Sequence, residues 1–139
     1  MQMPLVFSEV IQAFEAIPDR RSRLEYVIEL GEGLECDESI RTEENKVRGC
    51  VSSVYMTCST HDGLITYLGC ADSLIVRGFV KVLCDGLSGH EPATVLDESA
   101  PLVEEFIART GIDLSLVESR ANTFANLYAR MRQLAEACR

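Results

Sequence analysis

No cluster of Lys and Arg interrupts this chain, whose 13 cationic and 22 acidic side chains leave a formal charge of −9. Such a surface repels phosphate backbones and anionic lipid, so nucleic acid and membranes are poor partners and a basic patch on a protein is a better one. No apolar stretch approaches bilayer length, and the start, Met1 to Phe7, lacks the basic residues and apolar run of a signal peptide. The expected location is the cytosol. There is also no paired His motif around His61 or His90, and no two cysteines at the short spacing of a zinc knuckle. No intrachain metal site and no resident cofactor is expected. Long polar, Pro-rich or Gly-rich tracts and internal repeats are missing too, which argues against disorder and solenoids.

What remains is a chain of 139 residues, 47% hydrophobic and 25% charged, of a size to make one globular domain over 1–139. Six cysteines stand at 36, 50, 58, 70, 84 and 138. A chain of this length builds its own core, and with a cytosolic location reduced thiols are expected.

Apolar residues Phe7, Val10, Ile11, Phe14 and Ile17 recur at helical spacing up to Pro18. Asp19 is a ready N-cap for a second helix, with Gly31 and Gly33 as stop signals. Cys36 to Asn45 is polar and acidic and reads as a connection. Beyond it the period changes: Lys46 to Arg48 is a candidate short strand, and Ser53 to Ser59 alternates Val54, Met56 and Cys58 against polar or aromatic neighbours. His61-Asp62-Gly63 then turns the chain into a second strand at Leu64 to Gly69. Asp72 is placed to cap the next helix. Pro92 to Leu96 suggests one helical turn, Pro101 to Arg109 a separate helix, and Ser119 to Ala137 a long last one. Helices, strands, helices in that order predict an α+β fold in two layers, a three-stranded antiparallel sheet with helices packed on one face.

The chemistry is sought among the cysteines. Gly49 relaxes the backbone between two expected strands, so a tight loop presents the Cys50 thiol. Free Cys is among the most buried residue types, so position alone does not single it out. Cys58 and Cys84 fall on apolar faces and read as core; Cys70, at the end of a strand, is within reach of the Cys50 loop; Cys36 and Cys138 lie in a polar connection and a fraying terminus. Arg120 opens the expected last helix, where the dipole disfavours a cation. It reads either as a solvated surface side chain or as a support that holds the Cys50 loop and favours the thiolate. The acidic run from Glu32 to Glu44 is a solvated face or a docking surface for a basic partner.

The stretch Glu44-Asn45-Lys46-Val47-Arg48-Gly49-Cys50-Val51-Ser52-Ser53-Val54-Tyr55 resembles the active-site segment of the SufE family of sulfur acceptors, with its V-x-G-C-x-S-x-V pattern followed by an aromatic. Leu30-Gly31 with Leu34, then Gly69, Asp72 and Ile75-Val76-Arg77-Gly78 support it, as does Leu116 to Asn122, similar to an L-x-x-S-R-x-N signature. The family usually has Gln at Val51 and Ser53, Trp at Tyr55, and Gly-Leu at Thr123-Phe124; Cys50 and Arg120 are matched.

The resemblance implies a fold like that of the iron-sulfur scaffold proteins and a sulfurtransferase-like persulfide carrier that activates a desulfurase, with its standing as an enzyme left open. Its partner would be a cysteine desulfurase of the SufS/CsdA type, to which the pyridoxal phosphate belongs. The Cys50 thiolate would take the outer sulfur of that enzyme's persulfide, stimulate its turnover, and deliver the sulfur to an iron-sulfur assembly scaffold. Arg120 would support the thiol, and Gly49, Val51, Ser52, Asp72 and Arg77 would meet the partner. Apolar neighbours such as Val51 and Val54 are expected to shield Cys50 in the free protein. Two other functions stay open: a scaffold holding zinc or an iron-sulfur cluster around Cys50, Cys70 and Asp72, and an adaptor that modulates a desulfurase without carrying sulfur.

Overall fold

The computed structural model describes residues 1–50, 53–115 and 122–139. Helix α1 covers Leu5–Ala16 and buries Phe7, Val10, Ile11 and Phe14, the face set by the 3.6-residue period. Its end is closed by the next helix: Arg23 donates to the carbonyls of Ile17 at 2.7 Å and Phe14 at 2.8 Å, satisfying acceptors the helix leaves open. Helix α2, Arg20–Glu32, starts where expected, with the Asp19 carboxylate accepting from Ser22 N–H at 2.9 Å. Gly31 lies inside α2 and does not stop it. It lets α2 press on α3, Leu74–Leu87: a Cβ at Gly31 would stand 2.7 Å from the Gly78 nitrogen, and one at Gly78 would stand 2.3 Å from the Val27 carbonyl oxygen. The side chain capping α3 is Ser73 rather than Asp72.

Strands β1, Val54–His61, and β2, Leu64–Ala71, pair antiparallel from Val54–Ala71 to His61–Leu64. The turn between them is Asp62-Gly63, both at positive φ (53° and 78°), the two-residue form whose twist matches the strands. One face carries Val54, Met56 and Cys58 opposite Ala71, Gly69 and Tyr67. Against it lie α3, through Val80 beneath Gly69, and the last helix, α6, Thr123–Cys138, whose Met131 carbonyl accepts from the Tyr67 hydroxyl at 2.8 Å. Both helices therefore cover the same side, as expected.

The expected third strand is not formed among the described residues. Lys46 makes a single bridge to Tyr55, and Val47 N–H donates to the Val54 carbonyl at 2.8 Å. Two residues later Gly49 adopts φ +83°, which turns the chain off the sheet edge. The expected break at Pro101 is likewise absent: Pro92–Thr110 is one helix, α4, with Pro101 inside it. Pro101 and Asp97, whose carbonyl loses its bond to the missing N–H, are both exposed, so that carbonyl is open to solvent while Val95, Val103 and Phe106 hold the helix to the core.

A short α5, Ile112–Ser115, follows. An aromatic chain runs through the helical layer, from Phe7 to Phe106 (centroids 4.9 Å apart), to Phe124 (5.1 Å), to Phe79 (5.6 Å), joining α1, α4, α6 and α3. All four rings are fully buried, each worth roughly 1.5–3 kcal/mol of burial. Among the described residues no helix is long and apolar enough to cross a membrane.

The cysteines depart from expectation. Cys36 and Cys70 are joined as a disulfide across 34 residues, so not all the thiols are reduced, and the Cys70 sulfur lies 3.4 Å from the Asp37 carbonyl. Cys70 is on the outer face of the sheet, opposite Tyr55, which sequence alternation alone would have left exposed; the connection folds back over it.

Candidate functional site

Cys50 follows a loop base tied at three places. The Val47–Val54 backbone bond pinches the two arms together. On the far arm, Asp72 N–H donates to the Ser53 carbonyl at 3.2 Å. On the near arm, Asn126 of α6 donates its amide N–H to the Gly49 carbonyl at 3.1 Å. Arg130, one turn further along α6, donates to the Glu44 carbonyl at 3.1 Å, so one face of that helix holds both 44 and 49. Between α6 and the 43–48 segment lies a cleft of about 450 Å³, lined among others by Lys46, Arg48, Asn126 and Arg130.

The Cys50 side chain is half-buried and packs against the hydrophobic core. Burial pushes its thiol above the usual cysteine range, and the negative charge of Asp113 pushes it the same way. Asp113 is itself buried, at 7% exposure, and accepts from Phe124 N–H at 2.8 Å and Ala125 N–H at 3.2 Å. These are donors that the start of α6 leaves open, and Asn122 at the N-cap makes no side-chain bond to them. Asp113 is thus held where the helix dipole favours an anion, although burial raises its own carboxyl above the ordinary value. The described surroundings of Cys50 therefore favour a protonated, sheltered thiol over an exposed thiolate.

The other candidates fall differently. Val51, Ser52 and Arg120 lie outside the described residues. Asp72 is exposed, with its carboxylate 2.8 Å from Arg41, which also pairs with Glu38 and lies over the Tyr55 ring. Arg77 donates to the Ala71 carbonyl at 2.8 Å, tying the end of β2 to α3. His61 is solvent-exposed, as expected for a turn. Of the ligands a metal scaffold would need, Cys70 is in the disulfide and Asp72 is on Arg41; among the described residues no group of three or more His, Cys, Asp or Glu could hold a metal ion. Sequence reasoning missed Asn126 and Asp113. A weak signal was there, since Asn126 and Arg130 are polar residues four apart and so share one face of the helix.

Comparison with known proteins fits this geometry. The family model described as "SufE: Fe-S metabolism associated domain" matches residues 8–135. A SufE-like protein of Synechocystis is 35% identical over 136 residues, covering 97% of this chain and 83% of its own length. The cysteine desulfuration protein SufE of Plasmodium vivax is 36% identical over 129 residues, covering 89% of this chain and 50% of its own. A solution structure of a hypothetical protein from Thermus thermophilus has the same fold, with a TM-score of 0.71 at 14% identity over 99% of this chain and 98% of that one. With its Gly-Cys loop and nearly its whole length matched, the chain belongs to the SufE family.

Proposed function

We propose that this protein is a sulfur acceptor that takes sulfane sulfur from a cysteine desulfurase onto Cys50 and passes it on for iron-sulfur cluster assembly. The observation that carries the reading is the Cys50 thiol itself, half-buried at a loop whose base is tied at three points, in a chain of the SufE family. Membership alongside a relative named for cysteine desulfuration supports the choice of partner.

The transfer is a thiol exchange. The Cys50 thiolate attacks the outer sulfur of the desulfurase persulfide, a new S–S bond forms on Cys50, the old one breaks, and the desulfurase cysteine leaves as thiolate with the electron pair. Nothing is oxidised or reduced overall. Drawing off the sulfur frees the desulfurase for another turnover, and the pyridoxal phosphate that cleaves cysteine stays in that partner. Because burial and the Asp113 charge raise the thiol, transfer needs a cation that favours the thiolate. Arg120 is our candidate for that cation. Gly49, Val51, Ser52 and Asp72 would meet the desulfurase, with Arg77 steadying the end of β2 behind them. A half-buried thiol also suits the cargo, since an open persulfide is lost to small thiols and oxidants. We place this work in the cytosol, with residues 1–139 acting as one unit.

The test is the intact mass of wild type and Cys50→Ser after incubation with a SufS/CsdA-type desulfurase and cysteine. A reducible gain of one sulfur atom, roughly 32 Da, on wild type alone is expected. Equal stimulation of the desulfurase by Cys50→Ser, with no mass gain on either, would replace the carrier by an adaptor.

A further inference from the structure

A second pair of cysteines stands apart from the proposed carrier. Cys58, on β1, and Cys138, the last residue of α6, are 80 positions apart in sequence, yet their sulfurs lie 2.7 Å from one another. Both are free thiols. That separation is shorter than two unbonded sulfurs comfortably keep and is within ~1 Å of the ~2.05 Å of a disulfide. The Cys58 thiol also points at the Leu134 carbonyl, at 3.6 Å, so the sulfur faces α6 rather than the middle of the core.

Access comes from the other partner. Cys138 lines a cleft of about 310 Å³ together with Thr60, Gly63, Pro92 and Arg139, whereas Cys58, half-buried like its partner, is not part of that lining. Burial and the Cys138 thiol beside it push the Cys58 thiol up, and the place of Cys138 on the open cleft makes it the entry point for a reagent. The pair is also remote from the Cys50 loop: the strand between Val54, at the loop's base, and Cys58 covers about 13 Å at the usual rise.

We propose that Cys58 and Cys138 are a redox site of their own, which closes to a disulfide with oxidised glutathione or a similar small disulfide. Cys138 attacks one sulfur of the oxidant, forming a mixed disulfide; the oxidant's S–S bond breaks and one glutathione leaves, carrying the Cys138 proton. Cys58 then attacks the Cys138 sulfur, and the second glutathione leaves with the Cys58 proton. Two protein thiols are oxidised and one glutathione disulfide is reduced to two thiols, so the step balances. The bond would tether the middle of β1 to the end of the helix whose Asn126 and Arg130 hold the 44–49 segment. The proposal does not depend on what Cys50 does.

The test uses the full chain in the Cys50→Ser background, equilibrated in glutathione buffers of graded ratio, acid-quenched, alkylated and mapped without reduction. A linked peptide joining Cys58 and Cys138 is expected, with a population that follows the buffer ratio. The midpoint of thermal unfolding should rise on the order of 10 °C as it forms, from closing so long a loop. The additional variant Cys138→Ser, which removes only the thiol at the helix end, should show no linked peptide and only the part of the rise that follows the Cys36–Cys70 bridge, while keeping its unfolding midpoint in reducing buffer. Cys138 carrying only glutathione at the highest ratio, or both thiols alkylating in full, would overturn the proposal.

Discussion

The side-chain amide of Asn126 donates to the Gly49 carbonyl at 3.1 Å, across 77 residues of sequence. The bond fixes the peptide immediately before Cys50 from a helix that packs on the sheet and, through Phe124, on α3 and α4.

Replacing Asn126 by Ala should free that peptide without unfolding the protein. A bond of this kind is worth about 0.5–1.5 kcal/mol, so the loss of stability in denaturant should be of that size. The rate at which iodoacetamide alkylates Cys50, followed by peptide mass, should rise several-fold. An unchanged rate would mean that the bond does not govern access to the thiol.

Gly49→Ala should disturb the same clasp from the loop side. At φ +83° a side chain costs about 1–2 kcal/mol, and its Cβ would stand 3.3 Å from the Asn126 amide nitrogen. The loop must relax out of its turn, and sulfur acceptance by the intact Cys50 should fall while the thiol still reacts with small reagents.

The raised Cys50 thiol sets a pH dependence. Its alkylation rate should climb with an inflection above the ~8.5 of an ordinary cysteine. Asp113→Asn should bring that inflection down by removing the charge, with Asn keeping an oxygen for one of the two α6 amides. The linkage has a definite sign. A folded-state value above the unfolded one contributes stability that is full below the unfolded value and is lost as pH rises through the folded one. Stability in denaturant should therefore fall more steeply above pH ~8.5 for wild type than for Cys50→Ser.

Helix packing offers a sharper mutational contrast. Gly78→Ala drives a Cβ to within 2.3 Å of a backbone oxygen that cannot swing aside, and should cost about 1–3 kcal/mol or more in denaturant midpoints. Gly33→Ala meets nothing closer than 3.4 Å at a right-handed backbone position, and should fall within about 0.5 kcal/mol of wild type.

Thiol titration of unfolded protein prepared without reductant and without any disulfide oxidant should count four reactive cysteines, those at 50, 58, 84 and 138. Reduction should release two more, from Cys36 and Cys70. Losing that bridge should cost roughly 3–4 kcal/mol for a loop of this length.

Local pattern made much of this legible. The alternation of Val54, Met56 and Cys58 with the Asp62-Gly63 turn read correctly as a hairpin, and Asp19 as a cap, because those signals act over a few residues. The Gly49-Cys50 loop was visible for the same reason. Pro101 misled because burial of Val95, Val103 and Phe106 outweighs one lost backbone bond, and the third strand was overread from three residues that make only one bridge. Asn126 on Gly49, Asp113 beneath α6, Cys36 with Cys70 and Cys58 beside Cys138 join residues far apart in sequence, and no periodicity announces such meetings.

Helix α6 comes after everything it fastens, and that order matters while the chain is being made. The hairpin and the residues around Cys50 emerge from the ribosome first, but the amide that holds Gly49 belongs to residue 126 and the ring that locks α6 to the core to residue 124. At ≈ 5–20 residues per second, the stretch between residues 50 and 126 takes several seconds to synthesise. A nascent chain therefore presents the Cys50 thiol before the clasp that shelters it exists, which makes translation the interval in which this cysteine is most open to stray oxidants.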